Sequence, residues 1–427
     1  MKSSITRRQA LGFSGAAFTA PLFAAPAKAQ GSASVVVIGG GFGGAAAART
    51  LRRLAPEVSV TLITDAAEFV TCPFSNTVIG GLRELSEITF SYDAIRAEGV
   101  EVLVDAAVAL DPTGQKVRLK SGDEVSFDRA IVSPGIDFRY DALPGVDETV
   151  SELLPHAWKA GPQTILLRDQ IRSMRQGGTV IIAPPDNPFR CPPGPYERAS
   201  LIAHYLSQNN PTAKILIVDG KDKFSKQGLF MEGWEALYPG MITFVPFSEH
   251  AGIKSIDAAG RIIETFFGEF EGDVINLIPP QSAARIALDA GLAGDGLWCE
   301  IDGLSFESRE AENVHVIGDA AIVGDMPKSG FSASTQGKAC AHAVVAMLAG
   351  REPERGFLMN TCYSFVGPEY GISVAGVYQS ASDTNRLASL PGTGGTSAAG
   401  DHPDMRRDEA AFARGWYANL TQELFGA

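Results

Sequence analysis

The chain has 427 residues, 45% hydrophobic and 20% charged, enough apolar material for about two or three packed domains and too much for a disordered polymer. Its 36 basic and 49 acidic residues give a formal net charge of -13. That balance argues against nucleic acid and anionic membrane surfaces as general partners and leaves a basic protein partner open.

Residues 1–29 read as an export leader. Arg7 and Arg8 in "TRRQAL" precede the apolar "LGFSGAAFTAPLFAA", and Ala27-Lys28-Ala29 supplies the small residues that signal peptidase requires. This is the form of a twin-arginine signal, with Ala10 where such signals often carry Phe, and it predicts a periplasmic protein exported already folded. No later segment reaches ~18 uninterrupted apolar residues, so no membrane span is expected.

The segment "ASVVVIGGGFGGAAAARTLRRLAP" predicts a short β-branched strand, a glycine turn and an Ala-rich helix ending near Pro56. Gly39-x-Gly41-x-x-Gly44 lets the backbone turn tightly and approach a pyrophosphate, whose charge the free N–H groups at the helix start favour. The second strand, "VSVTLITDAAEF", is expected to end with an acid for the adenosine ribose. Thr64 occupies the usual slot, so Asp65, the next residue, is the candidate, with a solvated turn as its alternative.

Two later segments favour FAD over NAD in this domain. "DRAIVSPGIDF" has the form that returns a chain to a flavin domain, and "NVHVIGDAA" puts Gly318-Asp319 after an apolar strand. In two-domain flavoproteins an aspartate so placed bonds the flavin ribitol; a mere turn residue is the alternative. The distance from the first glycine motif requires one domain built from two separated segments.

Between those halves, "GGTVIIAPP" and "AKILIVDG" flank the helix-like "PYERASLIAHYLSQNN", a βαβ unit. After its first strand a nicotinamide-binding domain needs a glycine-rich turn. Here the turn runs Pro184-Pro185-Asp186-Asn187-Pro188-Phe189-Arg190-Cys191-Pro192-Pro193-Gly194, with no phosphate cradle and with fixed φ angles beside the cysteine. A pyridine nucleotide is therefore not expected as substrate.

The five cysteines, Cys72, Cys191, Cys299, Cys340 and Cys362, form no CxxC, CxxCH or CxxxxC. The spacing offers no metal site, and covalent haem in this chain is excluded. Cys340, on an apolar helical pattern, and Cys299, in strand-like "LWCEI", read as buried structural thiols.

The motifs "FVTCPFSNTVIGG", "FRCPPGPYERAS", "SGFSASTQGKA" and "NTCYSFVGPEYGISV" give the chain a resemblance, over nearly all of its mature length, to the flavoprotein subunit of flavocytochrome c sulfide dehydrogenase. That family is related to the sulfide:quinone oxidoreductases within the disulfide-reductase superfamily. The resemblance implies an α/β fold of two Rossmann-like dinucleotide-binding domains plus a smaller C-terminal α+β domain. The boundaries expected are 30–144 and 286–357 for the two parts of the FAD domain, 145–285 for the second Rossmann-like domain and 358–427 for the C-terminal interface domain.

The resemblance also implies roles. Cys72 carries FAD through a thioether to the 8α-methyl group, and Cys191 and Cys362 form a redox disulfide that hydrosulfide or polysulfide opens. Glu197 resembles the family's nearby acid and manages a proton, its alternative being a first-turn glutamate favoured by the helix dipole. Lys328 is a candidate to place positive charge near the flavin, its alternative being an exposed lysine. With no haem in this chain, a c-type cytochrome subunit is the implied partner in a heterodimer. The C-terminal "DMRRDEAAFARGWYANLTQELF" carries Asp404, Arg406, Arg407, Asp408, Glu409 and Arg414, too much charge for the deep membrane insertion that quinone-reducing relatives use. The function expected is a periplasmic sulfide:cytochrome c oxidoreductase; the alternative is an accessory flavin-disulfide protein acting on a thiosulfate-oxidising carrier.

Overall fold

Strands and helices alternate because the apolar runs are β-branched while the segments between them are rich in Ala and Leu. The computed structural model describes residues 32–381 and 386–426, so the expected leader lies outside the described residues. The first third contains β1 (Ser34–Ile38), α1 (Phe42–Leu54), β2 (Ser59–Thr64), α2 (Ser75–Ile79), β3 (Glu101–Val104) and β4 (Arg129–Val132). The middle contains β5 (Thr179–Ala183), α3 (Gly194–Asn209), β6 (Lys214–Val218), α4 (Gln227–Leu237), β7 (Ile242–Val245) and β8 (Val274–Leu277). There follow β9 (Val314–Val316), α5 (Gly330–Leu348), the long strands β10 (Phe357–Gly367) and β11 (Tyr370–Ser380), and α6 (Pro403–Phe425).

Two parallel sheets result whose central strands are buried on both faces, which is why those strands are continuous apolar runs instead of alternating ones. The first has the order β9-β4-β1-β2-β3; Val36 of its central strand pairs with Thr61 on one side and Ala130 on the other. β9 joins at the edge beside β4, so the sheet is assembled from residues 34–132 and 314–316 across the whole middle of the chain. The second sheet has the order β7-β6-β5-β8. Antiparallel β10 and β11 form the C-terminal layer, with α6 packed beside them. The expected α/β architecture with a smaller α+β layer is the observed one.

Two glycines set the distance between helices. A Cβ on Gly337 in α5 would stand 2.3 Å from the carbonyl oxygen of Gly43 in α1, so the two helix backbones touch. Ala45 to Ala48 of α1 are at most 1% exposed, their small side chains allowing the same approach. α6 corrects one expectation. Arg406 is not a solvated charge but is 1% exposed, held among Glu232, Asp401 and Glu409. Among the described residues no helix is long and apolar enough to cross a membrane.

The Gly337 contact is with backbone and cannot be relieved by a rotamer change. Gly337→Ala is expected to lower the unfolding free energy by about 1–3 kcal/mol, read as a fall in denaturant midpoint; an unchanged midpoint counts against the close helix contact.

Candidate active site

The first sheet delivers a nucleotide-binding turn at the carboxyl end of β1. Gly39 has φ +100°, and a Cβ there would lie 2.2 Å from Ser133 O, so only glycine fits. Gly41 caps α1 without a side-chain hydrogen bond, leaving N–H groups of the first turn free for an anion. Gly44 is fixed by the turn itself, since its Cβ would meet Gly39 O at 1.8 Å. Asp65 follows β2, exposed at the rim of the same cavity, while Thr64 is buried and shares a 3.2 Å hydrogen bond with the Tyr92 hydroxyl. Asp65 is therefore free to meet a ligand, while the Thr64 hydroxyl is engaged with Tyr92.

Gly39, Gly41 and Asp65 line a cavity of about 540 Å³ whose walls also hold Cys72, Cys191, Glu197, Gly318, Asp319, Lys328 and Cys362. Asp319 sits in the turn after β9. Burial pushes its carboxyl up; Oδ2 is 3.9 Å from Arg190 Nη1, and Oδ1 is buried with no hydrogen-bond partner among the described residues. A buried acceptor without a donor is costly unless a ligand supplies one. Lys328 is not an exposed side chain, which sets aside that alternative. Its Nζ donates to Asp319 O at 2.8 Å and Ala321 O at 2.6 Å and lies 3.9 Å from the Trp298 ring centre, and burial lowers its pKa to about 8.

Cys72 lies in the turn before α2, where Arg190 Nη2 donates to its Sγ at 3.1 Å. Cys191 has φ +55° immediately before α3, and its N–H donates to Lys328 O at 2.8 Å. Gly194 leaves room for this sulfur, since a Cβ there would stand 3.0 Å from Cys191 Sγ and 2.7 Å from the Trp158 ring. Cys362 stands in the middle of β10 opposite Val374. Burial pushes both thiols up, Cys191 strongly. The structure brings Cys191 and Cys362, here as free thiols, to the walls of one cavity. Cys299 and Cys340 are fully buried outside the cavity, and burial pushes the Cys299 thiol up to about 12.

Glu197 is in the first turn of α3, as its alternative reading required, yet it faces the cavity instead of solvent. Its Oε2 accepts from Asn76 Nδ2 at 2.8 Å and its Oε1 from Phe365 N at 2.9 Å. One carboxylate thus ties the helix after Cys72 and the helix after Cys191 to the strand of Cys362. Burial raises its pKa. Sequence reasoning missed Arg190, Asn76, Arg198 and Lys226. Arg190 was adjacent to Cys191 in a segment already singled out, whereas Lys226 stood in "GKDKFSKQG", indistinguishable from a solvated charged loop.

At the carboxyl end of β6 in the second sheet, where a nucleotide would be sought, side chains pack on one another. Asp219, at the end of β6 and 0% exposed, accepts from Tyr196 and from Lys221 Nζ at 2.6 Å; Tyr196 stacks on Phe224 with ring centres 3.6 Å apart. Neither NADH nor NADPH is expected to reduce the bound flavin anaerobically, and bleaching of the flavin spectrum by either nucleotide at millimolar concentration would overturn this account of the second sheet.

Comparison with known proteins agrees with this geometry. Residues 164–279 match the model of the sulfide dehydrogenase [flavocytochrome c] flavoprotein chain, central domain, residues 354–425 match the flavocytochrome c sulphide dehydrogenase flavin-binding domain, and residues 33–161 match the pyridine nucleotide-disulphide oxidoreductase model. A stretch of 48 residues, 11% of this chain, is 60% identical to the full recorded length of the sulfide dehydrogenase [flavocytochrome c] flavoprotein chain of Chlorobaculum thiosulfatiphilum. This chain belongs to that flavoprotein family. The mitochondrial sulfide:quinone oxidoreductase of Mus musculus is 23% identical over 67% of this chain, and the sulfide-quinone reductase of Aquifex aeolicus is 26% identical over 55%. The matched regions span 65% and 48% of those two relatives. The X-ray structure of the Aquifex aeolicus sulfide:quinone oxidoreductase superposes with a TM-score of 0.72 at 18% identity, covering 91% of each chain, which shows a shared fold.

A flavoprotein of this family carries flavin-binding domains, and the residues present fit an FAD. The Gly39 turn leaves room for a diphosphate that a Cβ would fill, and the orphaned Asp319 Oδ1 awaits a hydroxyl donor.

Proposed function

We propose that this protein oxidises sulfide with a Cys191–Cys362 disulfide and an FAD bound covalently through Cys72, and that it passes the electrons to a c-type cytochrome subunit in the periplasm. The observation that carries this reading is the convergence of three cysteines from separate segments on one cavity, with Glu197 bonded to two of the three elements that hold them. Gly39, Gly41 and Gly44 would hold the diphosphate, Asp65 the adenosine ribose, Asp319 the ribitol and Cys72 the 8α-methyl carbon. When bound, FAD supplies an acceptor that takes electrons in a pair and can release them singly.

The chain's own chemistry is thiol–disulfide exchange. Hydrosulfide attacks one sulfur of the pair, the bond between the two cysteine sulfurs breaks, and one cysteine keeps the added sulfur as a persulfide while the other leaves as a thiolate. Glu197, its carboxyl kept protonated to higher pH by burial, holds a proton beside the opened pair. Lys328 keeps a cation at the Asp319 end of the cavity through two backbone carbonyls. The exposed charges of α6, Asp404, Arg407 and Asp408 among them, favour a protein acceptor over one dissolved in lipid. The twin arginines, Arg7 and Arg8, support export.

Cys191→Ser and Cys362→Ser are each expected to abolish rapid anaerobic reduction of the flavin by sulfide while leaving the flavin bound and reducible by dithionite. The loss is large because one missing thiol removes the whole covalent route. Reduction at the wild-type rate in either variant would sink the proposal. Separately, FAD is expected to stay with the wild-type polypeptide through acid precipitation and to be released from Cys72→Ala, which still binds it through the glycine turn and Asp319. The yellow supernatant or pellet and the mass of the intact chain decide the point.

A further inference from the structure

Lys226 is a buried charge beside the redox cysteines that the mechanism above leaves unused. It precedes α4 with φ +61°, a left-handed conformation that a long side chain adopts at a cost. The residue is 8% exposed. Its Nζ donates to Ser364 Oγ at 2.9 Å and to the carbonyl oxygen of Cys362 at 3.3 Å, and it lies 5.8 Å from the Phe230 ring centre. Both hydrogen-bond partners are neutral, and among the described residues no ion pair joins Lys226 to a carboxylate. Glu197 and Glu409 act on it from a distance without forming an ion pair, and a buried ammonium that no ion pair meets is expensive. A fold that keeps one there, in a strained backbone and bonded to the peptide of a redox cysteine, has an anion to meet at some stage of its cycle.

The thiol chemistry supplies that anion. Hydrosulfide brings one negative charge; after it attacks, the pair has gained two electrons, the added sulfur has given them up, and the charge remains on the opened pair as a thiolate. We propose that Lys226 is a positioning residue that holds the opened Cys191–Cys362 pair in its anionic form, acting first on the sulfur of Cys362. This rests on the redox reading of that pair. The other charged or titratable groups facing it are Glu197, Cys191 and Glu409 around Lys226, and Cys72 and Arg198 around Cys191. Glu197 works in the opposite sense, its negative form opposing a thiolate. Burial lowers the pKa of Lys226 itself, so the ammonium is lost at high pH from the oxidised pair sooner than from the reduced one.

The sign is fixed: removing the positive charge raises the pH at which Cys362 ionises. In dithiol-reduced holoenzyme, the midpoint of the pH-dependent alkylation of Cys362, followed by mass spectrometry, is expected to rise by about one unit or more in Lys226→Met, a tenfold loss of thiolate at fixed pH below the midpoint. Lys226→Arg is expected to restore it, and flavin reduction by sulfide is expected to shift to higher pH in parallel. Lys226→Gln, which keeps a polar tip for Ser364, replaces Lys226→Met if that variant loses its flavin. The wild-type protein gives a reciprocal measurement that needs no variant. Competitive acetylation of Lys226 is expected to have a higher pH midpoint in the reduced enzyme than in the oxidised one. An unmoved Cys362 midpoint in flavin-loaded Lys226→Met or Lys226→Gln, a shift that Lys226→Arg fails to restore, or equal acetylation midpoints in the two redox states overturns the proposal. The redox reading fails differently, by Cys191→Ser or Cys362→Ser reducing flavin at the normal rate whatever Lys226 titrates.

Discussion

The geometry of the cavity depends on one guanidinium. Arg198, in the second turn of α3 and 2% exposed, donates to Asn76 Oδ1 at 3.0 Å, Asn276 Oδ1 at 2.8 Å, His156 O at 2.9 Å and Ala157 O at 2.6 Å, with its carbon 4.8 Å from the Trp158 ring centre. Burial pulls its pKa down to about 10, still far above neutrality, so the charge persists and must be met by these acceptors. A cation so placed costs several kcal/mol if its partners are withdrawn. It therefore dictates where they stand: α2 after Cys72, the end of the second sheet through Asn276, and the 156–158 loop with Ala157 at φ +45°. That loop in turn sets the Trp158 carbonyl beside Arg190 and Cys72. Asn76 closes the circuit by donating to Glu197, which bonds the strand of Cys362.

The two parallel sheets have divided their inheritance. The first keeps a glycine turn, an acid after β2 and a buried carboxylate after β9, all that a dinucleotide flavin needs. The second keeps the strand order of a nucleotide site and fills it with Tyr196, Lys221 and Phe224 around Asp219. What it contributes instead is the start of α3, with Cys191 and Glu197, and the approach to α4, with Lys226. The antiparallel pair β10–β11 then lays Cys362 against both.

Much of this was legible in the sequence, and the reason is local. The glycine turn, the Gly318-Asp319 pair and the β-branched runs are short patterns whose physics lies within a few residues, and the structure places each on the element expected. Cys191 drew attention because prolines stood where glycines belonged. Its relation to Cys362 came from family resemblance, since no periodicity connects residues from different layers. Lys226, Asn76 and Arg198 were opaque for a related reason. Burial of a polar side chain is decided by what folds over it, and a lysine in a polar loop or an arginine on a helix carries no mark of that. Lys328, whose alternative was an exposed lysine, and Arg406, one charge among many on its helix, are both sequestered for the same cause. Gly337 carries no local mark in the sequence because its constraint is the carbonyl of Gly43, on a helix far earlier in the chain.

The chain as a whole carries a charge of -13, yet several helices begin at the cavity, three long ones among them. α1 starts at the glycine turn, α3 just after Cys191 and α5 just after Lys328, so three positive dipole ends converge on one interior. An anion of sulfur thus meets a repulsive exterior and an attractive chamber, two fields of opposite sign separated by a wall of protein. Dissolved salt weakens the first within about 8 Å at physiological strength and barely reaches the second. The surface and the interior of this molecule therefore answer to ionic strength independently, the one open to a cationic partner and the other favouring anionic groups.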